Sequence, residues 1–233
     1  IVDTLKDSNG NNNTAVGHAA LTANTTGNRN VSVGYQALKE YTTASYNTAV
    51  GYDSLRENTT GAQHTALGDS ALLNNTTGNY NTAIGQGSMV TATTSSANVG
   101  VGTNSLYDLT TGTYNTGLGY AAGSAMTTGN YNVFIGGNAG ASSTANTASN
   151  NVAIGQNAMY NTSSGSNNTG VGHYALTANT TGTQNAAFGS QALDANTTAD
   201  NNTAVGHGAL GANTTGAENT AIGKEAATAN TTG

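Results

Sequence analysis

The chain has no proline, no cysteine and no tryptophan, and charged residues make up only 7% of its 233 positions. Without cysteine there is neither a disulfide framework nor a thiolate for metal binding or nucleophilic attack. Without proline, its turns must be made by other residues. Lys and Arg number five against eleven Asp and Glu, for a net charge of −6. Nucleic acid is therefore excluded as a main partner, because phosphate neutralisation needs a basic stripe. No apolar run approaches the roughly 18 residues that span a bilayer as a helix, so no membrane insertion is expected from this segment. A chain with so little charge could be disordered, but disordered chains also lack bulky aliphatics. Here Val, Ile and Leu return on a fixed beat.

That beat is the main content of the sequence. A glycine preceded by an apolar residue stands at Gly17, Gly34, Gly51, Gly68, Gly85, Gly102, Gly119 and Gly136, each 17 residues after the last. The interval stretches to 19 at Gly155, then returns to 17 through Gly172, Gly189, Gly206 and Gly223. The unit reads N-T-A-V-G-x-x-A-L-x-x-N-T-T-G-x-x. A period of 17 is too short for the common helical repeats, and its apolar residues lack helical spacing. The pattern predicts an all-β parallel β-solenoid of thirteen 17-residue coils. Residues 1–13 read as the tail of a degenerate preceding coil, 14–140 as coils one to eight, 141–150 as an irregular insertion loop and 151–233 as coils nine to thirteen.

Strand alternation then assigns faces. Thr14 and Val16 share one face of the segment from Asn13 to Gly17, and Ala15 shares the other with Asn13 and Gly17. Because Val also occurs at the Thr position (Val31, Val99, Val133 and Val152), the Thr/Val face is expected to be the core. A second strand is expected around Ala20-Leu21, Ala37-Leu38 and their equivalents. Adjacent apolar residues on a strand point to opposite faces, so the second face needs a cover, most simply a neighbouring subunit. The Asn-Thr-Thr-Gly stretch is β-turn chemistry. The asparagines at Asn13, Asn30, Asn47 and Asn81, with His64 in one place, should stack into an amide ladder that caps backbone groups.

Coils seven and eight depart from the consensus together. Gly123 and Gly140 replace the usual Leu, and Phe134 stands where other coils carry Ala, Ser or Gly. The expectation is volume compensation, with the Phe134 ring filling the room left by the missing leucines.

Candidate chemical sites are few. Glu40 and Glu57 occupy one coil position in adjacent coils, as a carboxylate pair for glycan cleavage would, but Lys39 and Arg56 beside them read as a solvated charged corner. His18, His173 and His207 share a variable, water-facing position in non-adjacent coils, so no metal site is expected. No catalytic residue and no cofactor is assigned, and the chain is not read as an enzyme. Tyr35 and Tyr52 on neighbouring coils, and Tyr114 and Tyr131 on another pair, are possible surface-binding residues for a glycan or protein on a host surface. Ordinary cross-strand packing explains them equally. The recurrent Thr-Thr pair raises ice binding as an alternative, against which stands the inward direction expected for strand threonines such as Thr48.

The runs Asn47-Thr48-Ala49-Val50-Gly51 and Asn81-Thr82-Ala83-Ile84-Gly85 resemble the head repeats of trimeric autotransporter adhesins. The stretch Val31 to Leu38 is similar to repeats of phage tail-fibre-like proteins. The likeness covers about residues 13–233, with a coil longer than the usual adhesin head repeat. It implies a left-handed β-roll, three chains around one axis, and an extracellular place on a bacterial surface or virion fibre. The function so expected is a structural or adhesive fibre segment that gives reach and attachment, with a self-assembling, end-to-end stacked filament as the alternative to it.

Overall fold

In the computed structural model, residues 12–142 and 144–232 are described. Among them there is no helix; the regular structure is thirteen strands of three residues, β1 to β13. The chain divides into two compact units, Ile1–Tyr114 and Asn115–Gly233. The first holds β1 (Thr14–Val16), β2 (Val31–Val33), β3 (Thr48–Val50), β4 (Thr65–Leu67), β5 (Thr82–Ile84) and β6 (Val99–Val101). The second holds β7 (Thr116–Leu118), β8 (Val133–Ile135), β9 (Val152–Ile154), β10 (Thr169–Val171), β11 (Ala186–Phe188), β12 (Thr203–Val205) and β13 (Thr220–Ile222). The tail expected over residues 1–13 lies almost wholly outside the described residues.

Within each unit every strand pairs in parallel with the next, in strict register. Val50 lies opposite Leu67 in the β3–β4 pair, and Phe134 opposite Ala153 in the β8–β9 pair. Each unit is a parallel β-solenoid, one coil per sequence repeat. The rungs continue beyond the strands: Asp53 N–H donates to the Tyr35 carbonyl at 2.9 Å and Leu55 N–H to the Ala71 carbonyl at 3.0 Å. A lone coil makes none of these bonds, so stability is collective.

The glycine of each coil is required by that stacking. Gly51 has φ +144°, and a Cβ there would lie 2.6 Å from the carbonyl carbon of Gly68 in the next coil. Backbone fills the space a side chain would need.

The structure reverses the expected faces. In β3 the buried residue is Ala49, while Thr48 and Val50 point outward, and the same pattern runs through all thirteen strands. The interior is narrow, and leucines delivered from the turn fill it. Leu38, Leu55 and Leu72 are fully buried, so only Ala, Ser or Gly fits opposite them from the strand. The second segment is also not a strand. Asp53 (φ 51°) and Leu55 (φ 54°) are both left-handed, with Ser54 between them. Alternating left-handed residues turn the chain, so Ser54 and Leu55 both point inward. No neighbouring subunit is needed to cover either. A left-handed leucine is strained by about 1–2 kcal/mol, a cost offset by its burial and its rung hydrogen bond.

Two amide columns complete the core. Asn30 Oδ1 accepts the Asn47 backbone N–H at 2.9 Å, and Asn47 Oδ1 accepts that of His64 at 2.9 Å. The same bond joins Asn132 and Asn151 at 3.0 Å across the two-residue insertion. The amide hydrogens turn sideways to the turn carbonyl, as from Asn168 to Gly182 at 2.8 Å. The expected ladder is thus carried by side-chain-to-backbone bonds, joined at several steps by direct amide–amide bonds such as Asn132 Nδ2 to Asn115 Oδ1 at 2.9 Å, and it leaves few buried polar groups unpaired. A second column holds Asn58 and Asn75, joined at 2.8 Å. Tyr41 occupies this column one coil earlier, wholly buried. Its hydroxyl donates to Asn30 Oδ1 at 2.9 Å and accepts from Asn47 Nδ2 at 3.0 Å. Burial, partly opposed by those two bonds, pushes its pKa up to about 12.

Phe134 is fully buried. A Cβ on Gly140 would meet its ring, with Cγ at 3.0 Å. The ring therefore stands where the turn leucine of its own coil would be. At the strand glycines Gly100 and Gly170 a methionine of the preceding coil answers: a Cβ on Gly170 would lie 3.0 Å from Met159 Cγ. The insertion lies within the second unit and folds back by a parallel bridge between Met126 and Asn146.

Candidate surface-binding site

The tyrosines expected to bind at the surface are exposed, Tyr35 by 41% and Tyr52 by 52%. They follow the glycine of their coils, and the strict register sets them one above the other. The rings stack with centroids 5.0 Å apart and planes 9° from parallel. His18 extends the stack below Tyr35 at 5.2 Å and 12°. This geometry restricts what the ladder can do. Both faces of Tyr35 are taken by its neighbours in the stack, so a sugar ring cannot stack on Tyr35 within the column. Tyr114 and Tyr131 occupy a different position, next to the ladder asparagine, with φ 59° at both. Both are exposed.

Arg29 faces the equivalent residue of the next coil, Tyr46. Its guanidinium lies 5.4 Å from the ring centroid and donates to the phenol oxygen at 3.0 Å. With Asn12, Asn28 and Ser45 they line an open cleft of about 270 Å³.

Each carboxylate of the Glu40 and Glu57 pair has a cation of its own coil beside it. Glu40 is 3.1 Å from Lys39, and Glu57 is 2.7 Å from Arg56, which also reaches Asp53 at 2.8 Å. Each acid is neutralised within its own coil. His18, His173 and His207 are exposed, and no group of three or more His, Cys, Asp or Glu able to hold a metal occurs among the described residues. The recurrent Thr-Thr pair is engaged along the stack: Thr59 Oγ1 donates to the Thr76 carbonyl at 2.9 Å, and Thr180 Oγ1 to that of Thr197 at 3.0 Å.

The surface that sequence reasoning assigned wrongly is the larger one. Because the Thr/Val face points outward, each unit presents two parallel columns, one mostly Thr and one wholly apolar. Val50 (38%), Ile154 (36%) and Phe188 (44%) are exposed in the second. A contiguous apolar column is unusual for a surface facing only water. The signal that could have found it is the restriction of the middle strand residue to small side chains. No protein-family model matches the chain, no curated protein matches its sequence, and no solved structure matches its fold.

Proposed function

We propose that the chain is a structural segment, shaft or head, of a homotrimeric adhesive fibre on a bacterial surface or virion, its copies packed through the outward Thr/Val columns. The observation that supports this reading most is the uncovered apolar column repeated on every coil. Copies of one solenoid share one rung spacing, so columns from different copies can interdigitate coil by coil. The resemblance of the Asn-Thr-Ala-Val-Gly runs to trimeric adhesin heads supports the number three. With its core closed within one chain, the coil is left to serve as a spacer that gains stiffness and area by association.

Light scattering on the purified chain should give three times the single-chain mass. Ile154→Asp combined with Phe188→Asp puts two charges into the column and should return the mass to one chain with the strand circular dichroism unchanged. A wild-type chain that is monomeric at micromolar concentration would count against the reading.

Ice binding gains one observation, since Thr48 and its equivalents point outward after all. The companion column argues the other way. It runs from Val205 through Ile154 to Phe188, and such changes in size spoil a match to a lattice while an interface between side chains absorbs them. Thermal hysteresis on the purified chain separates the two, and a normal freezing curve is expected.

A further inference from the structure

We infer that the second unit carries a binding site for a single neutral sugar ring, formed by Asn138, Asn157, Tyr160 and Tyr174. The four line a cleft of about 260 Å³. Three come from one position in consecutive coils, two residues after the glycine, where the backbone is left-handed: φ is 56° at Asn138, 55° at Asn157 and 58° at Tyr174. Their backbone N–H groups are engaged in rungs, to Tyr120 at 2.9 Å, Gly137 at 3.1 Å and Gln156 at 3.1 Å. None of the four side chains has a hydrogen-bond partner in the protein. Two amides and two phenols thus converge on one space with their polar atoms free. Beside them Gly137 stands where the preceding coil has Tyr120, and nothing lies within 4 Å of the side chain it lacks.

Ring placement differs from the Tyr35–Tyr52 ladder. Tyr174 has its one ring contact with His173, edge-on at 4.2 Å and 78°, and Tyr160 has none. Aromatic surface is therefore left for the C–H groups of a ligand. Each asparagine offers a donor and an acceptor side by side, the pattern that adjacent sugar hydroxyls complement. Charge selects against acidic ligands: no Lys or Arg occurs between Arg56 and Lys224, and no charged residue lines the cleft. Its volume lies just below the range of about 300–1,000 Å³ typical of drug-sized ligands, which limits the occupant to one ring.

In the fibre reading this site is the point of attachment, and the inference deepens that reading to that extent. Its test reads sugar binding and not chain mass, so that either can fail alone. Saturation-transfer NMR on the full chain with methyl glucoside, methyl galactoside and methyl mannoside should show transfer to the ring protons of at least one at millimolar concentration. Tyr160→Ala should weaken that binding about tenfold or more. Asn157→Gly, which removes the amide while tolerating the left-handed backbone, should do the same, and Tyr80→Ala, in the first unit, should leave it unchanged. No transfer to any of the three sugars at about 20 mM, weak even for a one-ring ligand, overturns the inference. Binding that survives both cleft variants also overturns it.

Discussion

Replacing Phe134 by Ala should destabilise the second unit by about 3–5 kcal/mol, the range for removing a buried aromatic ring that nothing can collapse to fill. Gly140 has no side chain to move into the space, and its own coil contributes no leucine there. Gly140→Leu alone should also be severely destabilising, because its Cβ would lie within the Phe134 ring. The two together recreate the ordinary pairing seen at Ala49 and Leu55, at the cost of about 1–2 kcal/mol for a leucine in the left-handed region. The double variant should therefore be more stable than either single one, a strong coupling between residues in contact. Urea unfolding followed by circular dichroism measures all four proteins. A double variant no better than Phe134→Ala would show that the ring and the missing leucine do not share a site.

Acid should loosen the first unit through His64. This side chain replaces asparagine in the amide column and is buried, and burial lowers its pKa from 6.5 to about 4, partly opposed by the Gly78 carbonyl. Nε2 lies 2.7 Å from that carbonyl, while Nδ1 accepts the Asn81 backbone N–H at 3.2 Å. A second proton, on Nδ1, would point at that N–H. Asn75 Nδ2, 3.1 Å from Nε2, adds no negative charge. The unfolded chain takes up its proton near pH 6.5 and the folded chain only near pH 4. Stability is therefore complete above pH 6.5 and falls between the two values, by about 3 kcal/mol in total. His64→Asn restores the column and should remove most of this slope. A midpoint of thermal unfolding that does not change between pH 7 and pH 4.5, or an equal slope in the variant, would refute the argument.

The period, the parallel register and the chemistry of the asparagines were legible because stacking imposes them one residue at a time. A position that must accept the neighbouring backbone N–H tolerates little besides Asn, and Gly51 can be nothing larger because Gly68 passes so close. Of the two missing leucines that Phe134 was expected to replace, at Gly123 and Gly140, the structure shows the ring in the place of the one at Gly140, and that half was legible because both residues break the repeat and compensate in volume. The direction of the strands was not. Alternation says that Ala49 and Val50 face opposite ways, and hydrophobicity then favours Val50 as the inner one. The coil reverses this because Leu55 arrives from a left-handed turn that a strand pattern does not foresee. With the interior already full, the strand can contribute only a methyl group. The same omission made Ala37-Leu38 look two-faced and invoked a subunit to cover it. Of the surface features, the Tyr35–Tyr52 stack was readable from their spacing. The cleft at Tyr160 was not, since Asn138, Asn157 and Tyr174 line it from a left-handed turn that the strand pattern does not foresee.

The interval from Asn132 to Asn151 carries two residues more than the other steps of the column, yet the column resumes with Asn132 bonded to Asn151. The surplus is absorbed at the corner that Asn146 closes, and the coils that follow keep their phase. That corner marks where the architecture tolerates foreign length. A peptide epitope or tag spliced after Ala145 should be displayed without disturbing its neighbours, whereas the same splice inside β8 would shift every later coil out of step.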